Sequence, residues 1–213
     1  MYNKMKTKLV LVGFGDFGRE LLNWYEHAYN LNHHEIFHGF IDDDLNYNKE
    51  NRCPIKYLGK IEDYNISMGK LVMSINDVKN KEIIAKKLKA MGGEFEKFIH
   101  PSAIIAKSAS VGDGVIICPN ALVSAGAEIS DFCTINVFTS IGHDVKVGKY
   151  CTISSHVDLT GYVEIENSVF VGSNVSVIPK VKISNNSVIG AGTTIFRNVQ
   201  PESTIFANFP KKL

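Results

Sequence analysis

Residues 135–148 read INVFTSIGHDVKVG, and the pattern in this stretch decides the fold. Aliphatic side chains stand at Ile135, Ile141 and Val147, six positions apart, while His143 and Asp144 lie between two of them. The six-residue period continues in both directions without a slip from residue 105 to residue 195. The aliphatic residues in this register are Ile105, Val111, Ile117, Val123, Ile129, Ile135, Ile141, Val147, Ile153, Leu159, Ile165, Val171, Val177, Ile183, Ile189 and Ile195.

A period of six residues fits neither an α-helix, which repeats every 3.6 residues, nor a strand, which repeats every two. Hexapeptide repeats are typical of a parallel β-helix, in which three flat sides close a triangular coil of about 18 residues. The aliphatic side chains are expected to point inward and to stack between coils. Small or short residues four positions later would fit the tight interior near a corner; these are Ala109, Val115, Ala121, Ala127, Cys133, Thr139, Val145, Cys151, Val157 and Val163.

The register also predicts the direction of individual side chains. His143 follows the inward-pointing Ile141 by two positions, so it is expected on the outer part of a side, near a corner. Cys133 and Cys151 stand one full coil apart in the inward register and are expected as reduced thiols on adjacent coils. No CxxC pair occurs among the four cysteines, and the sequence predicts no metal site.

The composition narrows the classes of partner. The chain has 213 residues, 45% of them apolar, and a formal net charge of +1. This balance offers no electrostatic basis for binding nucleic acid or an anionic membrane surface. The apolar runs are far shorter than the roughly 20 residues of a membrane span. The N-terminal MYNKMKTKLVLVGFG has no small-residue cleavage site and reads as a first strand, so a cytoplasmic protein is expected.

The first hundred residues lack the six-residue repeat, and strand-like and helix-like segments alternate there instead. Strands are expected at KLVLVGFG, IFHGFIDDD and KLVMSIND, and helices at FGRELLNWYEHAYNL and KNKEIIAKKLKAMGG. This alternation predicts a small parallel α/β sheet. We therefore expect two domains: an α/β, truncated Rossmann-like domain over residues 1–100 and a parallel β-helix over residues 101–213.

A glycine-rich turn follows the first strand of the α/β domain. Gly13, Gly15 and Gly18 have the GxGxxG spacing, ahead of a helix whose N-terminus would attract phosphate. The second strand ends at Asp42 and Asp43, which could accept hydrogen bonds from a ribose or a base. The domain has too few strands for a dinucleotide site, so a single nucleotide is expected; a tight turn without a ligand is the alternative.

Two resemblances extend this interpretation. The repeat region resembles the left-handed β-helix of hexapeptide-repeat acyltransferases. The whole chain looks like the sialic acid O-acetyltransferase-like family, in the branch that acetylates the amine of nucleotide-linked 4-amino-4,6-dideoxy sugars. The motifs that carry the second resemblance are the glycine turn at 13–18, FIDD at 40–43, SIND at 74–77 and IH at 99–100.

The resemblance implies a catalytic site around the histidine of the opening stretch. His143 with Asp144, preceded by Asn136, matches the family pattern N-x6-H-[DE]. Acetyl transfer to an amine requires removal of a proton, which an imidazole that titrates near neutral pH can accept. The adjacent carboxylate would fix the tautomer of the imidazole. No covalent acyl-enzyme is needed, so direct transfer in a ternary complex is expected, although a solvated surface histidine remains the alternative.

The resemblance also implies the two substrate subsites and the assembly. Acetyl-CoA would bind the β-helix, and the nucleotide-linked amino sugar would bind the α/β domain. The family forms homotrimers with active sites between subunits. The residues so implied are Gly161, as a backbone donor to the oxyanion, Gly190, Ala191, Gly192 and Lys211 for acetyl-CoA, and Gly13, Gly15, Asp42 and Asp43 for the sugar nucleotide. Several members carry a second histidine where this chain has Thr152.

These observations lead to one hypothesis and two alternatives. The chain is expected to be an acetyl-CoA-dependent N-acetyltransferase that acts on a UDP- or dTDP-linked 4-amino-4,6-dideoxy sugar for bacterial surface glycan synthesis, such as lipopolysaccharide O-antigen. A sugar O-acetyltransferase of the sialic acid type is the alternative within enzymes. A non-catalytic β-helix binding module is the alternative outside them. The nucleotide base, the sugar configuration and the glycan pathway stay open.

Overall fold

The computed structural model describes residues 8–44 and 53–207 and begins with a four-stranded parallel sheet. Its strands are β1 (Leu9–Val12), β2 (Phe37–Ile41), β3 (Tyr57–Gly59) and β4 (Lys70–Met73), in the order β3-β2-β1-β4. The helices are α1 (Asp16–Tyr29), α2 (His33–Ile36) and α3 (Val78–Ala90). The expected parallel α/β sheet is confirmed, and the short α2 and β3 are additions that the sequence pattern did not predict.

Side-chain patterning explains the two long helices. Helix α1 buries Phe17, Leu21 and Tyr25 at spacings of four residues, which places them on one face against the sheet. Asn30 closes the helix in the left-handed conformation, with φ of 52°. Helix α3 starts at Asp77, whose side chain accepts a hydrogen bond from the backbone N–H three residues later.

Very short strands, two residues each, follow one another and form three parallel sheets that we call the first, second and third faces. The first face contains β5 (Phe98–Ile99), β8 (Ile116–Ile117), β11 (Thr134–Ile135), β14 (Thr152–Ile153), β17 (Phe170–Val171), β20 (Val188–Ile189) and β22 (Thr204–Ile205). The second face contains β6 (Ile104–Ile105), β9 (Leu122–Val123), β12 (Ser140–Ile141), β15 (Asp158–Leu159), β18 (Ser176–Val177) and β21 (Thr194–Ile195). The third face contains β7 (Ser110–Val111), β10 (Glu128–Ile129), β13 (Lys146–Val147), β16 (Glu164–Ile165) and β19 (Lys182–Ile183).

The aliphatic repeat forms the core of this three-sided prism. Ile135 pairs with Ile117 on the preceding coil and with Ile153 on the following one. All three are fully buried in one continuous hydrophobic cluster. Cys133 and Cys151 belong to the same cluster and are free thiols, as the register predicts. The expected parallel β-helix is therefore confirmed.

The successive corners of the prism from Gly114 to Gly192 each contain one residue in the left-handed region, with φ near +60°. Side chains other than glycine rarely adopt this conformation, yet most of these corners carry one. Backbone hydrogen bonds between coils support the corners: the N–H of Asp144 donates to the carbonyl of Ala125 at 3.0 Å, and that of Tyr162 to the carbonyl of His143 at 3.1 Å. The corners thus form three columns of side chains directed away from the prism core, and in the column between the third and first faces Phe132 and Ser168 are buried.

The last coil is shorter than the others. Phe170 pairs with Val188 on the next coil, and Val188 pairs in turn with Thr204, an interval shorter by two positions. Val199 takes the inward place on the third face through a bridge to Ile183, and it is buried in the core. The six-residue count ends at Ile195 because two residues are missing from this coil, so the sequence pattern stopped two sides too early, before Val199 and Ile205.

The α/β sheet with its helices packs on the first face. Phe98 and Ile116 on that face join the hydrophobic cluster of α1. Helix α3 lies along the corner between the third and first faces, where Ser168 Oγ donates to Glu82 Oε2 at 2.6 Å. In a three-sided prism, the corner between the second and third faces lies opposite the first face, so that corner is on the far side from the α/β sheet.

Candidate functional site

His143 lies at the corner between the second and third faces, in the turn from β12 to β13. Its side chain is 58% exposed, which confirms the outward placement that the register predicts. The imidazole Nδ1 lies 3.0 Å from Oδ2 of Asp144. A carboxylate can only accept a hydrogen bond, so Nδ1 donates and the neutral ring carries its lone pair on Nε2.

The corner conformation lets these two adjacent side chains meet. Asp144 has φ of 57°, and this left-handed turn brings its carboxylate beside the ring of His143 instead of directing it to the opposite side. Both side chains are about half exposed, so the contact between them contributes little to the stability of the fold. Its effect is to orient the imidazole and to select the tautomer with a free Nε2.

Two glycines on the neighbouring coils bracket the pair. Gly161, one coil after His143, lies against the imidazole, and a Cβ at this position would overlap Nε2. Gly126, one coil before Asp144, lies against the carboxylate, and its Cβ would overlap Oδ1. Gly126 was not among the residues predicted from the sequence; it stands 18 residues before Asp144, the same one-coil interval that separates His143 from Gly161. The absence of a side chain at Gly161 therefore leaves room for the imidazole, and its absence at Gly126 leaves room for the carboxylate.

Replacing Gly161 by alanine is expected to displace the imidazole of His143 from Asp144 while the β-helix stays folded, because the added methyl group meets the ring and not the core. The imidazole ¹⁵N chemical shifts of His143 measure this change, since loss of the Nδ1 hydrogen bond lets both tautomers populate. Gly192→Asn is the control, because no heavy atom lies within 4 Å of a Cβ there and asparagine tolerates the left-handed φ of +70°. Unchanged His143 shifts in Gly161→Ala would contradict the packing.

Tyr162 completes the surroundings of His143 and was not singled out from the sequence. Its ring is perpendicular to the imidazole, at 88°, with the ring centroids 5.0 Å apart. Edge-to-face contacts of this kind are favourable for aromatic rings. Tyr162 follows Gly161 directly, so the coil that leaves space on one side of the imidazole supplies a packing surface on another.

Asn136 lies at a different corner from His143. It follows β11 directly, at the corner between the first and second faces, and its Oδ1 accepts a hydrogen bond from the N–H of Val137 at 2.8 Å. The residues expected to bind acetyl-CoA at 190–192 follow β20 at this same corner, several coils further along. The ring of Phe206 lies against Gly190. Within one chain, none of these residues shares a corner with His143, and Lys211 lies outside the described residues.

The glycine turn of the α/β domain has the geometry that its spacing suggests. Gly13 has φ of +87°, and a Cβ on Gly18 would stand 3.0 Å from the carbonyl oxygen of Gly13. Gly15 is the N-cap of α1, with extended backbone. Gly13 and Gly18 are therefore required by backbone geometry, and the open N-terminus of α1 faces the turn.

The two carboxylates expected to read a nucleoside have partners within the chain. Asp42 accepts hydrogen bonds from the N–H of Phe14 at 2.7 Å and from the N–H of Asp44 at 2.9 Å. Asp43 accepts from the N–H of Ile61 at 2.9 Å. Asp42 therefore braces the glycine turn, and Asp43 holds a neighbouring loop. Their contact with a nucleoside stays a prediction.

Within the ranges 8–44 and 53–207, no group of three or more His, Cys, Asp or Glu side chains is placed to hold a metal ion. In the same ranges, no helix combines the length and the apolar character of a membrane span. The glycine turn lies with the α/β sheet on the first-face side of the prism, whereas His143 lies at the opposite corner. One chain thus does not bring the two parts of the expected site together.

Comparison with solved structures identifies the same architecture elsewhere. The acetyltransferase domain of PglB from Neisseria gonorrhoeae is 21% identical, with a TM-score of 0.81, and the match covers 99% of this chain and 100% of that one. A mutant of perosamine N-acetyltransferase from Caulobacter crescentus, in complex with CoA and GDP-perosamine, is 21% identical, with a TM-score of 0.83 over 94% and 93%. WeeI from Acinetobacter baumannii is 20% identical, with a TM-score of 0.82 over 94% and 96%.

At these identities the likeness shows the fold. The expected architecture, an α/β domain followed by a left-handed parallel β-helix, is confirmed. The family described as bacterial transferase hexapeptide (six repeats) matches residues 162–197, which confirms the hexapeptide repeats in that part of the chain. No curated protein matches the sequence.

Proposed function

We propose that this chain is an acetyl-CoA-dependent N-acetyltransferase that acetylates the 4-amino group of a nucleotide-linked 4-amino-4,6-dideoxy sugar, UDP- or dTDP-linked, for bacterial surface glycan synthesis. The observation that carries the proposal is the outward-facing His143, which Asp144 orients and whose imidazole lies against the backbone of Gly161. The similar structure from Caulobacter crescentus, which holds CoA and GDP-perosamine, supports the substrate class. Membership of the sialic acid O-acetyltransferase-like family is part of this proposal.

The arrangement around His143 suits direct acyl transfer. The neutral amine attacks the thioester carbonyl, a C–N bond forms, and the C–S bond breaks to release the CoA thiolate, which receives from the imidazolium the proton that the amine has lost and leaves as the thiol. His143 Nε2 takes the proton that the amine loses, and Asp144 stabilises the imidazolium that results. The backbone N–H of Gly161 is the proposed donor to the oxyanion of the tetrahedral intermediate. The step requires no metal and no covalent enzyme intermediate.

The two substrates have separate proposed subsites. The sugar nucleotide would bind at Gly13 and Gly15, where the N-terminus of α1 offers backbone N–H groups to a diphosphate, with Asp42 and Asp43 nearby. Acetyl-CoA would bind along the β-helix with Gly190, Ala191, Gly192 and Lys211. Asn136 stands at the same corner as the glycine-rich coil, so we assign it to the donor side of the site.

The proposed assembly is a homotrimer with each active site between subunits. Its support is the separation of the parts within one chain: the glycine turn lies on the first-face side, and His143 lies at the opposite corner. Asn136 and Gly190 lie at a third place, the corner between the first and second faces. A neighbouring copy is the simplest way to bring a glycine turn and a glycine-rich coil to each His143.

Mixing two inactive variants is expected to restore activity if sites form between copies. His143→Ala removes the base, and Gly15→Asp places a negative charge where the diphosphate would bind, at a position where aspartate is a favourable helix N-cap. Co-expressed in equal amounts, the two chains should recover about a quarter of the wild-type sites, because each site draws its two parts independently. The measurement is acetyl transfer by the purified mixed oligomer.

The control for this mixing is each variant expressed alone, which should be inactive. Two variants of the same part, such as His143→Ala with His143→Asn, should not complement each other. If the mixed oligomer stays inactive while each variant chain folds and assembles, the sites lie within single chains and the proposed arrangement is wrong.

Release of free thiol from acetyl-CoA, measured against a panel of nucleotide-linked amino sugars, tests the proposed function. The panel needs UDP-, dTDP- and GDP-linked 4-amino sugars together with the corresponding 4-hydroxy sugars as matched acceptors. Thiol release that depends on the amine supports N-acetylation. Activity on sialic acid with none on the amino sugars would replace the proposal by O-acetylation.

A further inference from the structure

Lys81 is a charged residue that the proposed mechanism does not use, and it is fully buried. It lies in the first turns of α3, where that helix meets the first face of the β-helix. Its Nζ donates to Thr152 Oγ1 at 2.7 Å, to Thr134 Oγ1 at 3.1 Å and to the carbonyl oxygen of Cys151 at 3.2 Å. The ammonium has three N–H donors, and these three oxygens accept all of them.

The protonation state of Lys81 agrees with this geometry. Burial lowers its pKa from 10.5 to about 8, because the charged form is disfavoured away from water. The ionisable groups that face it are Asp77 at the start of α3 and the thiols of Cys118, Cys133 and Cys151 on the β-helix. A pKa of about 8 leaves the ammonium as the main form at neutral pH, so the three donors are present there.

Thr152 connects Lys81 to the loop that precedes α3 through two hydrogen bonds. Its Oγ1 accepts from Lys81 and donates its own proton to the carbonyl oxygen of Asn76 at 2.7 Å. A hydroxyl has a single proton, so the hydrogen bond from Lys81 leaves that proton available for Asn76. Thr134 also accepts from Lys81 but has no such link to Asn76 in the described structure. Both threonines therefore accept a hydrogen bond from Lys81, but in the described structure only Thr152 donates one to Asn76.

The loop that Thr152 holds also supports the glycine turn. Ser74 Oγ lies 2.6 Å from the carbonyl oxygen of Gly13 and 2.7 Å from that of Val12, so its proton serves both. Ile75 packs directly on Gly13, where a Cβ would stand 2.9 Å from the Ile75 Cγ1. A continuous set of contacts thus runs from the first face of the β-helix to the turn at Gly13.

We propose that Lys81 is a positioning residue that, through Thr152, Asn76 and Ser74, holds the glycine turn in place for the acceptor. This inference rests on the proposed function, because it gives Lys81 a role in binding the sugar nucleotide. A buried ammonium costs stability that an apolar side chain of similar size would not. The role of Lys81 is therefore to donate directed hydrogen bonds and not to fill space. Through Thr152 these hydrogen bonds fix the loop of residues 74–77, which contacts the glycine turn.

Three variants separate the positioning role from simple packing. Lys81→Met keeps the length of the side chain and removes its donors. Thr152→Val removes the link to Asn76, and Thr134→Val is the matched control that removes an acceptor of Lys81 without that link. The KM for the nucleotide-linked amino sugar is expected to rise about tenfold in Lys81→Met and Thr152→Val. It should stay near the wild-type value in Thr134→Val, and the KM for acetyl-CoA should be unchanged in all three.

Amide hydrogen exchange tests the same proposal without an acceptor. Residues 74–77 should exchange faster in Lys81→Met and Thr152→Val than in Thr134→Val, while the strands of the β-helix keep their protection. Equal exchange and equal KM in all three variants would overturn the proposal, as would a parallel rise in the KM for acetyl-CoA. If the wild-type chain acetylates no sugar of the panel, the proposed function fails, and the exchange at residues 74–77 still decides whether Lys81 docks the loop.

Discussion

Replacing His143 by alanine is expected to lower the turnover number for acetyl transfer about 10²–10⁴-fold, the range that positioned acid–base groups contribute. The amine must lose its proton as the tetrahedral intermediate collapses, and Nε2 of His143 is the lone pair that the Asp144 contact leaves free. The side chain is outward-facing and contributes no core packing, so the variant should fold like the wild type. Continuous detection of the CoA thiol measures the change.

His156 offers a matched control for this experiment. It is also a corner histidine, and its ring stacks on Phe138 at a centroid distance of 5.2 Å, at the corner between the first and second faces. Its φ of 58° favours asparagine as the replacement, so the pair to compare is His143→Asn and His156→Asn. We expect only the first to lower the turnover number; His156 shares its corner with the coil assigned to acetyl-CoA, so any effect of His156→Asn should fall on the KM for acetyl-CoA. Wild-type turnover in both His143 variants would sink the assignment of His143 as the base.

Replacing Ile165 by aspartate is expected to unfold the β-helix. Ile165 is 2% exposed inside the prism and lies between Val147 and Ile183 on the adjacent coils. A carboxylate there loses the packing of the aliphatic column and finds no partner for its charge, at a cost of more than about 4 kcal/mol. That is a large part of the stability of an ordinary domain. Thermal unfolding followed by circular dichroism, together with soluble yield, measures the effect.

Glu164 is the control, because it precedes Ile165 in the same strand and points outward. Glu164→Asp introduces the same side chain one position earlier and should change the free energy of unfolding by less than about 0.5 kcal/mol. A folded Ile165→Asp chain with a melting temperature near the wild-type value would mean that the aliphatic column is not the main source of stability. The comparison tests the six-residue register directly.

The period was sufficient to predict the β-helix and the outward direction of His143, because each inward position is defined by its neighbours six residues away. It was not sufficient at the last coil, where the two-residue deletion moves Val199 into the core and ends the count at Ile195. A search at a fixed six-residue interval does not detect a side that is two residues shorter. The alternation of strands and helices likewise predicted the parallel sheet but not the four-residue α2, which is too short to show periodicity.

The candidate site divides in the same way. The family resemblance selected His143, Asp144 and Gly161 as candidates, because a motif and the 18-residue interval from His143 to Gly161 are both visible in one dimension. Tyr162 and Gly126 became significant only when the coils were stacked, since each contacts the pair from a neighbouring coil. These contacts depend on the direction of a side chain at a corner, which the composition of the repeat does not specify.

The sequence by itself determined that this chain stacks short parallel strands around an aliphatic interior and displays a histidine–carboxylate pair at one corner, because burial of a strict repeat allows no other register. Only the tertiary structure decided which face the α/β sheet covers. That choice depends on matching surfaces far apart in the chain: Phe98 and Ile116 against α1, and Lys81 against Thr152. It places the glycine turn and His143 on opposite sides of the same prism.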